Sequence, residues 1–369
     1  MYVDNGKISN RQIFRLYLFD LMGIATLLLP PYLARLCGAG GIYAIILGTG
    51  LGLGYLLYLG WVMKQMKMDM IHFLNHEVYP WIGKIICLCI TLHCVLTSGF
   101  CAYIFANLMQ YSLVKECSYT SILLLIVIVA GYAVRGGIEG RARVYEVVFW
   151  FILIPYFLMM LVSVREVEPT YLEPLLFYDG SSLWQGAYFV FLLLTPLFFS
   201  LFLVGEKEKN YGQNIIKIIG KSVVFSGVIL LGSYVVLLGN FGVESLKQLR
   251  FPVVTLMSTI QFEGNFLRRM DALMLAIWFF TLYALLNLHL HYGVRLLSNL
   301  GAGHINRRNS WRVVIAVVVV FFVAYGLHKL QGAAILFLKY YSFVAVPFMV
   351  GMPAFLLFFR RKGSCIRNG

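Results

Sequence analysis

One carboxylate, Asp20, stands deep in the first long apolar run of the chain, three residues before Gly23 and ten before the pair Pro30-Pro31. An acid at that depth in hydrocarbon is costly and is kept for a ligand amine, a cation or a buried partner. Pro30 has no N–H to donate and disfavours helix at Leu29, and Pro31 repeats the effect. A second interruption stands at Thr195-Pro196, in the stretch "FLLLTPLFF". Each break lies about eleven residues into its run, roughly 16 Å at 1.5 Å per residue and so near the middle of a hydrocarbon core about 30 Å thick. Breaks free backbone N–H and C=O groups that lipid cannot satisfy, so these must face protein, water or a ligand. Paired breaks at matched depth point to a transporter-type substrate site. The candidate ligand-binding residues are therefore Gly23, Ile24, Ala25 and Thr26 in one break and Leu194, Thr195 and Pro196 in the other. Freed N–H groups at Ala25 and Thr26 would hold a ligand carboxylate. Thr97 and Thr281 join them because both fall near midplane depth, and Asp20 is a candidate ion or amine contact.

Other chemistry-bearing patterns carry less. Cys87, Cys89, His93 and Cys94 invite a metal reading, but Cys87 and Cys94 share one helix face and Cys89 and His93 another, and a single helix cannot close a tetrahedral shell. No metal site is assigned. His289 and His291 are two apart and point to different faces, which suits hydrogen-bonded packing more than a proton relay. "GTGLGLG", Gly48–Gly54, mimics a phosphate loop but sits inside an apolar run with no preceding strand. Its pairs Gly48/Gly52 and Gly50/Gly54 read as small residues for close helix packing. "RGGIEGRAR", Arg135–Arg143, is basic but short, and reads as a topology signal with lipid contact rather than a nucleic-acid site. No Ser/His/Asp, zinc-protease or Walker pattern stands in a suitable context, so neither enzyme chemistry nor a cofactor is expected.

These residues need elements to position them, and composition says which. Of 369 residues, 60% are hydrophobic and only 12% charged, and mean hydropathy is +0.82. That is too apolar for a water-soluble core and fits a multi-pass membrane protein. Ten spans are expected, at about 12–36, 40–63, 82–113, 119–134, 144–165, 184–204, 214–239, 270–295, 311–328 and 333–359, each near the 20 apolar residues a crossing needs. With the N-terminus inside, 21 of the 30 Lys and Arg fall in inner segments and 8 in outer ones, which places both termini on the cytoplasmic side. Asp69–Gly83 and Phe251–Gly264 are semi-apolar and too short to cross, and suit interfacial or re-entrant helices. They fall between spans two and three and between spans seven and eight, on opposite sides. The reading is an all-α integral membrane protein, residues 1–369 as one domain. Its ten helices would form an inverted five-plus-five repeat (about 11–165 and 184–359) with broken first and sixth helices.

Several stretches taken together carry a family likeness. "ISNRQIFRLYLFDLMGIATLLLP" resembles the opening of the spore germination protein B family, GerAB-like members of the amino acid–polyamine–organocation superfamily. The matching positions are Ile8, Ser9, Gln12, Gly23 and Pro30. "GKIICLCITL", "RGGIEGRARVYEVVF", "GNFG" and "FLRRMDALMLAIWFF" extend the likeness in order along nearly the whole chain. The chain departs from the family at Ala25, where a second Gly is common, and in span six, where a Gly and a carboxylate often stand. The resemblance implies the B subunit of a nutrient-germinant receptor in the spore inner membrane. Such a subunit binds an amino acid or similar small nutrient within a transporter fold, beside an A-type subunit and a C-type lipoprotein. A proton- or sodium-coupled amino-acid permease is the alternative. In the receptor reading, Asp20→Asn is expected to leave folding and binding largely intact.

Overall fold

The computed structural model describes residues 8–112, 116–173, 180–203, 215–259, 270–300 and 310–358. In chain order these form α1 (Asn10–Cys37), α2 (Gly41–Met66), α3 (Met70–His76), α4 (Pro80–Ser112), α5 (Tyr119–Val134), α6 (Gly137–Ser163) and α7 (Gly180–Leu193). There follow α8 (Ile215–Gln248), α9 (Pro252–Thr259), α10 (Met270–Leu300), α11 (Ser310–Lys329), α12 (Ala333–Tyr340) and α13 (Val346–Phe358). Helices fall on every predicted apolar run. Among the described residues, seven helical stretches are long and apolar enough to cross a membrane, the first of them running through α1 and α2 together. The short helices α3 and α9 fall on the two segments expected to be interfacial, with residues 260–264 outside the described part. Also outside it are the basic residues Lys207, Lys209, Arg307, Arg308 and Arg360 to Arg367.

Local chemistry accounts for the helix boundaries. Ser9 and Gln12 form a capping box at the start of α1: the Ser9 N–H donates to Gln12 Oε1 at 2.9 Å, and Ser9 Oγ accepts from the Gln12 N–H at 3.4 Å. The Ile-Ser-x-x-Gln opening is thus a helix start signal with a mechanism. Asp69 caps α3 by accepting from the His72 N–H at 3.0 Å. In α8, Gly242 has φ +68° and kinks the helix, a conformation open to glycine. Nearby, Asn240 donates to the carbonyls of Ser163 and Val236, and Gly239 O accepts from Glu168 N–H at 2.9 Å. "GNFG" therefore ties the end of α8 to the chain leaving α6.

Helix α1 is the centre of the bundle. It packs against α6, α7, α8 and α10, while α4 packs on α10 and α11, and α2 on α7 and α8. Of the two glycine pairs of α2, Gly48 and Gly52 meet α7 and Leu194, so a side chain at Gly48 would run into the Ala187 carbonyl. At Gly50 and Gly54 no atom of the described residues beyond their own helix backbone stands within 4 Å of where a Cβ would lie. Close packing explains the first pair and not the second.

The first helix is not broken. Helix α1 runs continuously through Gly23–Thr26 and through both prolines, against the expectation. Nearly every residue from Leu16 to Pro31 is buried, and where no water reaches the backbone a helix keeps its own amides paired. Ala25, in place of a second glycine, gives no reason to unwind. Thr26 adds two bonds back to its own helix, from Oγ1 to Met22 O at 3.0 Å and Gly23 O at 3.3 Å. The prolines remove only the N–H groups that would reach the Thr26 and Leu27 carbonyls. The second break is present. Helix α7 ends at Leu193, and Thr195–Phe202 is a 3-10 helix of eight residues, long for that form. Leu194 N–H donates to Phe191 O at 3.0 Å and Leu197 N–H to Leu194 O at 3.1 Å, while Thr195 Oγ1 donates to Leu192 O at 2.6 Å.

Candidate functional site

Where α1 passes the end of α7, the bundle encloses a cavity of about 40 Å³. By the space one water needs, that volume takes a few water-sized groups. Asp20, Leu21, Ile24 and Ala25 of α1 line one wall, and Leu192, Leu193 and Pro196 another. Thr97 and Phe100 of α4, Leu285 and His289 of α10, and Phe337 and Tyr341 complete it. Phe100 and Phe337 stack face to face at 3.8 Å, and Phe337 lies 5.5 Å from the Tyr341 ring. The chamber is largely apolar with a few polar groups at defined points, as small-molecule sites are.

Of the residues predicted from sequence, Asp20, Ile24, Ala25, Thr97 and Pro196 are brought to this cavity. The others lie behind its walls. Gly23 faces α10, where a built Cβ would stand 2.5 Å from the Thr281 carbonyl oxygen. Its role is close helix approach, and Thr281 is buried at that same contact. Thr26 Oγ1 accepts from Trp278 Nε1 at 3.1 Å. Leu194 fills the space left by Gly52. Thr195 supports the wall, its hydroxyl 2.6 Å from that of Tyr341. Because α1 is continuous, the amides of Ala25 and Thr26 belong to its ladder and are not free for a carboxylate.

Asp20 is paired. Arg141 of α6 reaches it through Nη2 and donates from the same nitrogen to Ala284 O at 3.1 Å. Both side chains are almost fully buried, at 2% and 3% exposure. Arg141 Nε has no hydrogen-bond partner among the described residues. Expected to be a basic loop residue facing lipid headgroups, Arg141 instead locks α6 to α1 and α10. A helical signal was there to find: Glu139 and Arg143 are four apart and pair with each other, which turns Arg141 toward the opposite side. Glu146, three residues after Arg143, pairs instead with Arg11 and Arg15.

Two histidines extend the polar side of the cavity. His93 Nδ1 is 3.1 Å from the Tyr340 hydroxyl and Nε2 is 3.4 Å from Thr97 Oγ1. His289 Nδ1 donates to Leu285 O at 2.9 Å, which leaves Nε2 as an acceptor with no partner among the described residues. Their rings are 5.9 Å apart. Cys87 and Cys94 share the buried face of α4 as expected, but His93 joins them there whereas Cys89 is exposed, so the expected shared face of Cys89 and His93 is not met. Tyr341 opens a π-helical turn, Tyr341–Ala345, between α12 and α13; such insertions often mark functional sites. No periodicity in "KYYSFVAV" announces the turn.

Comparison with known proteins follows the same lines. A family model described as spore germination protein matches residues 7–333. Spore germination protein B2 of Bacillus subtilis (strain 168) is 23% identical over 331 residues, covering 86% of each chain. Spore germination protein YndE of the same organism is 19% identical over 371 residues, covering 99% of this chain and all of the relative. Spore germination protein A2 is 19% identical over 322 residues, covering 86% of each. Among solved structures, a Na+-coupled sialic acid symporter in a substrate-bound, outward-open state matches with TM-score 0.70 and 11% identity. The match covers 96% of this chain and 79% of that one, which gives the transporter-like all-α membrane fold.

Proposed function

This chain belongs to the spore germination protein family, and from that premise we propose that it is the B subunit of a nutrient-germinant receptor. A small nutrient such as an amino acid binds at the cavity between α1 and the break after α7, whose walls move apart to admit it, since the chamber as it stands holds only a few water-sized groups. The observation that carries this reading is the cavity itself: an apolar chamber at the interrupted end of α7, with Thr97, Tyr341, His289 and Asp20 as its polar points. Leu21, Ile24, Phe100 and Phe337 suit a short apolar side chain. Ligand binding shifts a two-state equilibrium that an A-type subunit and a C-type lipoprotein read in the spore inner membrane, with both termini of this chain cytoplasmic.

A coupled amino-acid permease is the second reading, favoured by the likeness to a symporter fold. Proton or cation coupling needs a group whose charge state changes with the cycle. The deep carboxylate is held by Arg141, which favours a sensor over a pump. The test uses the purified full chain in proteoliposomes with an imposed pH or sodium gradient and radiolabelled alanine, valine and leucine. Saturable binding without accumulation is the expected result. Accumulation against the gradient of amino acid would overturn the receptor reading in favour of the permease.

A further inference from the structure

On the side of the bundle, α1, α6 and α8 leave an open groove of about 580 Å³, unconnected with the nutrient reading. Its floor is Phe14 and Phe225, and one wall is the α6 stripe from Phe149 to Leu161, about 18 Å long at 1.5 Å per residue. The stripe is open to the surroundings: Trp150 is 57% exposed and Leu161 64%. Arg11 and Arg15 close one end.

That end carries a charge surplus. Glu146 accepts from Arg11 Nη2 and from Gln12 Nε2 at 2.9 Å, and stands 3.8 Å from Arg15 Nη1, which donates to the Glu146 backbone carbonyl at 3.0 Å. Two guanidinium groups against one carboxylate leave one net positive charge. Arg15 is fixed over the Phe149 ring at 4.5 Å, while Arg11 is 70% exposed and keeps most of its five N–H donors for another acceptor. A guanidinium fork matches a phosphate, and basic pockets between membrane helices take anionic headgroups. The apolar part argues against a partner helix. Transmembrane helices meet through Gly, Ala, Ser and Thr, which let backbones approach, and the groove is lined by none of these. Its ridges of Phe, Trp, Leu and Ile suit a flexible acyl chain.

We propose that this groove is a binding site for one anionic phospholipid, with its phosphate on Arg11 and Arg15 and an acyl chain along α6. A lipid there bridges α1 and α6 beside α8.

The experiment is native mass spectrometry of the purified full chain after exchange into dioleoyl-phosphatidylglycerol or dioleoyl-phosphatidylcholine. Wild type should retain phosphatidylglycerol at least fivefold better. Arg11→Gln should cut that preference about fivefold, the worth of one arginine near a charged surface. Glu146→Gln raises the cluster to two net charges and should strengthen phosphatidylglycerol retention by a similar factor, a gain that misfolding cannot produce. Leu158→Trp, which fills the groove, should lower retention of both lipids. Equal retention of the two lipids by wild type would overturn the proposal. So would a preference that neither charge variant moves, or full retention of both lipids by Leu158→Trp.

Discussion

Neutralising Asp20 alone should destabilise the protein severely. Asp20 and Arg141 are both almost fully buried, so Asp20→Asn leaves a guanidinium with no counter-charge in the bundle, which typically costs about 3–5 kcal/mol. Arg141→Met strands the carboxylate at a similar cost. Replacing both, as Asp20→Leu with Arg141→Met, removes the uncompensated charges together with the unpartnered Arg141 Nε. Such double replacements are often neutral or stabilising by about 1–4 kcal/mol, so the double variant should recover most of the lost stability. The coupling is read from equilibrium unfolding of wild type, both single variants and the double variant in mixed micelles. A single variant within about 1 kcal/mol of wild type would refute the buried-pair argument. So would a double variant no more stable than the worse single. The same result decides the expectation from sequence that Asp20→Asn leaves folding intact: the ion pair makes that substitution a folding lesion first, and a functional probe only in the double background.

Gly23→Leu should fail through packing, because its side chain would run into the Thr281 carbonyl. Overpacking of this kind costs about 1–3 kcal/mol, and lower yield of folded protein in detergent, not a selective loss of nutrient binding, is the expected readout. In α2, Gly50→Leu and Gly54→Leu should express like wild type, whereas Gly48→Leu should lower the yield, since only Gly48 of these three presses on α7; fluorescence-detected gel filtration separates them. Tyr341→Phe removes the hydroxyl partner of Thr195 at the cavity edge and should cost about 0.5–1.5 kcal/mol in thermal stability, with weaker binding of radiolabelled amino acid. Ser9→Ala breaks the capping box of α1 and should cost about 1 kcal/mol, measured by the same unfolding assay.

Much of the fold was legible because a membrane imposes length and apolarity directly on sequence: helices fall on every predicted run, and even the short α3 and α9 fall where semi-apolar segments interrupt the pattern. The helix break was half legible. Thr195-Pro196 marks a real end of α-helix, but Pro30-Pro31 does not, because proline reports a missing donor and not whether the surrounding helix can tolerate it. Glycine was ambiguous in the same way. Gly23 looked like a hinge and is a contact, since only the position of α10 distinguishes the two. Arg141 was misplaced because a basic residue beside glycines reads as loop until the phase of α6 is known. Tyr341 and the free Nε2 of His289 left no trace in the pattern: one depends on an irregular turn and the other on which ring nitrogen a backbone carbonyl engages.

The π-helical turn at Tyr341–Ala345 has a mechanical consequence. It holds one residue more than an α-helical path would, so α13 stands one step out of phase with α12, about 100° of rotation and 1.5 Å of advance. That phase is clamped from the side: Tyr55 and Tyr58 of α2 donate to the carbonyls of Met349 and Val350 at 3.2 and 2.8 Å, and the Tyr58 hydroxyl accepts from Ala354 N–H at 2.9 Å. Any event at the cavity that let the turn relax to α would screw α13 against those three bonds while drawing Tyr341 from Thr195. The last helix is thus geared to the site at one end and latched to α2 along its length.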